Sequence, residues 1–122
     1  MKNIFTILII LLLIIGCSPK ELPTVSIVDK NGFFLKASHQ TTKQELKDFQ
    51  SEIAKIHGIN FDFSKTEFTE KNTIKHFNSV MSKGAFKAKC SADLFTLQYK
   101  YYGFQFNVKD NKILKGKTGF IE

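Results

Sequence analysis

The chain has 122 residues, 18 basic side chains against 11 acidic ones, and a formal net charge of +7. That length holds one small core, and 43% hydrophobic with 24% charged residues describes a chain that folds rather than a disordered one. All the basic residues are lysine, and Phe reaches 13 with no Trp. Two cysteines without a Cys-x-x-Cys pair exclude a disulfide framework and a thiolate zinc site.

Lys2 precedes an apolar run over residues 4–15, broken only by Thr6, and Gly16-Cys17-Ser18-Pro19 follows. A positive charge, an apolar run and a small residue in that order make a secretory leader. As a helix the twelve-residue run spans about 18 Å, short of a hydrocarbon core of about 30 Å, so a permanent transmembrane helix is not expected. Ile14-Ile15-Gly16-Cys17 resembles the lipobox of bacterial lipoproteins, with Ile14 and Ile15 standing where Leu and Ala or Ser are commoner. The resemblance implies cleavage between Gly16 and Cys17 and a diacylglyceryl group on the Cys17 thiol. It divides the chain into a signal peptide (1–16), a lipidated tether (17–24) and a single domain (25–122). Two or more acyl chains anchor stably, since each buried CH₂ contributes about 0.8 kcal/mol. Ser18 resembles the residue that follows the cysteine in many Gram-negative outer-membrane lipoproteins. Ser18-Pro19-Lys20-Glu21 is similar to the Lys-acidic export signals of Bacteroidota lipoproteins. Together they imply a lipid-anchored envelope protein of the outer membrane, on its periplasmic face or at the cell surface. The alternative is an ordinary secretory leader with an incidental cysteine.

Both prolines fall in the tether, which reads as a short spacer. Val25 to Asp29 and Phe33 to Ala37 alternate around Lys30-Asn31-Gly32, a hairpin signal. Thr42-Lys43-Gln44-Glu45 fits a capping box, and Leu46, Phe49, Ile53 and Ile56 recur at spacings of three and four. With Gly58 as the left-handed stop, they predict a helix over about 43–57. Ile59, Phe61 and Phe63 alternate as a half-buried strand. Asn72 is placed to cap a short second helix over about 73–82, on which Ile74, Phe77 and Val80 or Met81 share a face, ending at Gly84. Phe86, Ala88, Cys90 and Ala92 alternate with Lys87, Lys89 and Ser91. Phe95, Leu97, Tyr99 and Tyr101 continue the alternation, so 91–102 reads as strand or as a helix stopped by Gly103. Phe104, Phe106 and Val108, Asp110-Asn111, then Ile113-Leu114 form a closing hairpin. The expected fold is α+β: an antiparallel sheet of about five or six strands packed against one main helix. The stretch 42–74 resembles small modules of Bacteroidota envelope proteins, some on membrane metallopeptidases of the antibiotic-sensor type. The hairpin 102–114 is similar to strands of PepSY-type periplasmic domains. Neither resemblance carries over a catalytic residue, because no metal-binding motif accompanies it.

No catalytic, metal or cofactor site is expected. Cys90 lies on the apolar side of its strand, where a cysteine acts as a small hydrophobe. His39, His57 and His76 stand 18 and 19 residues apart, with no His-x-x-x-His pair or His-Glu-x-x-His motif. His57, in the last helical turn, reads as a partner of the helix dipole. Lys83, Lys87, Lys89, Lys109, Lys112, Lys115 and Lys117 form basic edges, but the aromatics fall on alternate positions expected to be buried, and arginine is absent. No nucleic acid is therefore expected, and the partners are the membrane through Cys17 and another envelope protein or an anionic glycan or lipid. The function expected is a non-catalytic binding or scaffolding lipoprotein. Its alternatives are a small envelope hydrolase or transferase using one of the three histidines, and a phage- or plasmid-type exclusion or immunity lipoprotein.

Overall fold

The computed structural model describes residues 21–121, so the leader and the Gly16–Cys17 junction lie outside the described residues. Strands β1 (Val25–Asp29) and β2 (Gly32–Ala37) form the first hairpin, in register from Val25 with Lys36 to Asp29 with Gly32. Helix α1 (Lys43–His57) starts as its capping box dictates: Thr42 Oγ1 accepts from the Glu45 amide at 3.2 Å, and Glu45 Oε1 accepts from the Thr42 amide at 2.9 Å. It stops at Gly58, whose φ of 65° lets its N–H reach back to Ala54 O at 3.0 Å. Leu46, Phe49 and Ile53 are buried as predicted, but Ile56 is exposed and His57 takes the fourth place on the inner stripe. The spacing of four from Ile53 keeps His57 over the core, and one residue less turns Ile56 toward solvent.

After α1 the described residues are strand and turn: β3 (Asn60–Asp62), β4 (Glu67–Phe68), β5 (Ile74–Lys83), β6 (Phe86–Asp93), β7 (Tyr101–Lys109) and β8 (Lys112–Ile121). Every pairing is antiparallel. One four-stranded sheet runs β1-β2-β7-β8. In the other, β5 is central, with β6 along one edge and β3 and β4 sharing the other. The sheets approach each other along β6 and β8, and α1 packs against β1 and β3. The enclosed core is built on phenylalanine: Phe49 meets Phe61 edge-on at 5.1 Å, Phe61 meets Phe104 at 6.2 Å, and Phe33 stacks on Phe106 at 5.3 Å. The α+β class and the main helix agree with expectation, but the described residues form eight strands in two sheets.

The predicted short helix over about 73–82 is instead β5, the longest strand of its sheet. Counting apolar residues alone gives Ile74, Phe77, Val80 and Met81, a helical spacing. The inward row of the strand is Phe77, Ser79 and Met81, with Val80 turned outward between Asp62 and Lys89. A buried serine breaks the period-two pattern, and three neighbouring strands override it. Asn72, expected as a helix cap, sits in a turn at φ 62°. The stretch 91–102 is neither one strand nor a helix. Asp93 ends β6 by accepting from the Thr96 amide and hydroxyl, at 3.2 and 2.9 Å, and a turn carries the chain to β7. This local capping leaves Phe95 and Tyr99 more than half exposed, not buried on an alternating face.

Candidate functional site

The residues singled out in the sequence are held apart by the fold. Cys90 is buried on the inner face of β6. Loss of solvent pushes its thiol up to about 12, against a backbone hydrogen bond from Gly119 that pulls the other way. A thiol so held stays protonated and is a poor nucleophile. His57 is a structural donor: its Nε2 lies 2.7 Å from Asp29 O and 3.3 Å from Gly32 O, and carbonyls only accept. The carbonyl of His57 itself accepts from Lys83 Nζ at 2.6 Å, which satisfies an orphan group of the helix end. The cation that meets this helix end is Lys83, and the His57 ring, expected as the partner of the dipole, is turned to the hairpin carbonyls.

His76 lies on the outer side of β5 between two carboxylates. Its Nδ1 is 3.7 Å from Asp93 Oδ1 and its Nε2 is 3.9 Å from Glu67 Oε2, beyond hydrogen-bond range. The Thr96 hydroxyl and then its amide help hold the Asp93 carboxyl below the usual range, and His76 adds a smaller pull in the same direction. Among the described residues no three His, Cys, Asp or Glu side chains are arranged to hold a metal ion.

His39 borders an open groove of about 400 Å³ between the β2–α1 connection and the turn after β6, with Ile74, Phe95 and Gln98 among its walls. Thr69, Glu70, Lys71 and Thr73, on the β4–β5 connection, supply the rest of its lining. The His39 Nδ1 is buried without a partner among the described residues, and desolvation lowers the pKa of the ring from its ordinary 6.5.

The most conspicuous surface escapes the sequence pattern. The outer face of the first sheet carries Ile27, Phe34, Lys36 and Tyr101, as the registers of β1, β2 and β7 dictate. Lys36 Nζ lies 5.7 Å from the Phe34 ring and 5.1 Å from that of Tyr101. On the other side of the sheet, where Phe120 pairs with Tyr102 of the inward row, Lys100 Nζ lies 5.4 Å from the ring of Tyr99 and 4.8 Å from that of Phe120. Each ammonium group thus sits over two aromatic faces, the arrangement of a cation–π pair. The only signal in the sequence is the run Tyr99-Lys100-Tyr101, which the expected alternation had assigned to the core.

The incoming chain is fastened next to this surface. Leu22 is buried, its N–H donates to Gln40 Oε1 at 2.8 Å, and its carbonyl accepts from Ser38 Oγ at 2.5 Å. The next carbonyl, of Pro23, accepts from the Tyr101 hydroxyl at 2.8 Å. Residues 22–24, expected as part of the tether, are packed onto the body. Among the described residues no helix is long and apolar enough to cross a membrane. Compared with protein-family models, curated proteins and solved structures, the chain matches none.

Proposed function

We propose that the chain is a bacterial lipoprotein, cut between Gly16 and Cys17 and moored through acyl chains on Cys17 to the cell envelope, at the outer membrane. Its α+β body binds or scaffolds another envelope component and performs no chemistry. The observation that carries this reading is the Gly16-Cys17 pair at the end of an apolar run behind Lys2. Two features support it. The thiol that remains after acylation, Cys90, is buried and held protonated. The body also offers surfaces for recognition, a groove beside His39 and two lysines seated over aromatic rings.

Radiolabelled palmitate tests the anchor: it enters the wild-type chain and not the Cys17→Ala variant, and equal incorporation overturns the reading. Crosslinking from intact cells that express the acylated form identifies the component bound. One observation favours the rival, an envelope hydrolase or transferase using a histidine: His76 stands between Glu67 and Asp93. If the protein turns over envelope substrates and His76→Ala abolishes that turnover, the rival replaces the binding reading.

A further inference from the structure

We propose that the outer face of the second sheet holds an acidic saccharide, a chain of sugars bearing carboxylate groups, in the hollow that Lys65, Lys87 and Lys89 line together. The inference rests on the binding reading above and gives the component bound a chemistry and a place.

The site follows from register. Asp62, Val80 and Lys89 stand abreast on β3, β5 and β6, and Asn60, Ser82 and Lys87 form the next row. The residues between the rows, Phe61, Met81 and Ala88, are buried, so both rows face outward. Asn78 lies on the same side, two residues before Val80. The connection from β3 to β4 is folded against this edge. The Ser64 amide donates to Asp62 Oδ1 at 2.9 Å, and the Thr66 hydroxyl donates to Asn78 O at 2.8 Å and accepts from the Asn78 amide at 3.0 Å. The residue between these ties, Lys65, is thereby set in one hollow with Asn78 and Lys89. From there the surface runs past Lys87 to the β5–β6 turn as a depression of about 470 Å³, a volume in the range of small-ligand sites.

Charge selects the occupant. Among the described residues Lys65, Lys87 and Lys89 form no ion pair. The one carboxylate in the lining, Asp62, already accepts from Ser64. Lys87 and Lys89 are two apart on one strand, so their Cα atoms lie about 7 Å apart, a spacing for successive anionic groups along a chain. Between the cations, the side chains of Asn60, Asn78 and Ser82 have no hydrogen-bond partner among the described residues, and such amides and hydroxyls match the hydroxyls of a sugar. The two rows hold no aromatic ring on which a base could stack, and Val80 is their one apolar side chain, too little to anchor a peptide. Phe86, at the rim, is turned against Phe106. At the other end of the face the sign reverses: Glu67 and Asp93 flank His76, at 3.9 and 3.7 Å, which confines an anionic chain to the lysine end.

Calorimetry of the full-length protein in neutral detergent tests the site, with a uronic-acid oligosaccharide, a neutral glucan of the same length and linear polyphosphate as probes. The oligouronate binds and the glucan does not. Lys65→Gln with Lys89→Gln weakens the oligouronate about tenfold, as the loss of two charge-assisted contacts implies. Lys112→Gln with Lys115→Gln, on β8, lowers the net charge equally and changes binding less than about twofold. All four lysines are exposed, so these changes leave the core intact. Asn78→Ala weakens the oligouronate several-fold and leaves polyphosphate unchanged. Absence of oligouronate binding, equal weakening by the two lysine pairs, or wild-type binding by Asn78→Ala overturns the inference. The mass of the Cys17 peptide from the same preparation reads the anchor separately: an unacylated Cys17 overturns the lipoprotein reading and leaves the calorimetry to decide the site.

Discussion

The Nε2 of His57, the last residue of α1, lies 2.7 Å from the carbonyl oxygen of Asp29, at the end of β1. One ring proton ties the helix end to the first hairpin turn, and the Phe33 ring, centred 5.7 Å away, covers the contact. Replacing His57 by Ala leaves the hairpin carbonyls without this donor and opens a cavity, which costs about 2–4 kcal/mol. His57→Gln keeps an N–H donor and costs less. Urea denaturation of the two variants measures the difference, and equal losses would show that packing, not the hydrogen bond, holds the junction.

The capping box has a longer reach than the helix. Glu45 Oε1, besides accepting from Thr42, accepts from the Thr24 hydroxyl at 3.1 Å, and Thr24 pairs with Thr41 at 2.7 Å. Thr42→Ala is expected to cost about 1 kcal/mol as a lost cap. Glu45→Ala loses the cap and also the link to the incoming chain, so it exposes the peptide bonds near Thr24 to faster hydrogen exchange while Thr42→Ala does so less. Amide exchange read by mass spectrometry separates them.

Ser79 is buried on β5 with its hydroxyl unpartnered among the described residues. A buried hydroxyl without a partner lowers stability. Ser79→Ala is therefore expected to stabilise, by about 1 kcal/mol, and to raise the thermal midpoint. A lower midpoint would show that the hydroxyl has a partner, such as a buried water.

The raised thiol of Cys90 makes stability depend on pH at the alkaline end. Its pKa is about 12 when folded against an ordinary 9.0, so the unfolded chain releases the proton first. The stabilising contribution is whole below pH 9 and falls between pH 9 and about 12. Cys90→Ala should show a smaller fall over that window in denaturation curves taken at stepped pH, and native protein at neutral pH should resist thiol reagents until unfolded.

Asp93 gives the acid counterpart. The Thr96 hydroxyl is the main reason its carboxyl titrates below the ordinary 3.8. A lowered folded pKa stabilises above the unfolded value and is lost as pH falls through the folded one. In Thr96→Val the carboxyl resonance should titrate at higher pH than in the wild type, and an unchanged midpoint would remove Thr96 from the account.

Some elements were legible because their signals are local. The capping box, the inner positions at 46, 49 and 53 and Gly58 define α1 within the stretch from Thr42 to Gly58, and a helix needs no distant partner for its backbone bonds. The closing turn was equally plain: Asp110 and Asn111 both adopt positive φ, 53° and 61°, as a two-residue hairpin loop requires of such residues. β5 was not legible, because its inward row includes Ser79 and its backbone bonds are made to three other strands, β3, β4 and β6, rather than within the segment. Nor was the aromatic–lysine face, since alternation tells which residues share a side of a strand but not which side meets the core.

The sequence by itself determined the α+β class, the main helix and both terminal hairpins, because each rests on neighbours along the chain. Tertiary structure alone decided that His57 is buried as a donor and that Leu22 and Tyr101 fix the incoming chain beside exposed rings. Those outcomes depend on which surfaces exclude water, and that is settled only when distant strands pair and the sheets close around their phenylalanines.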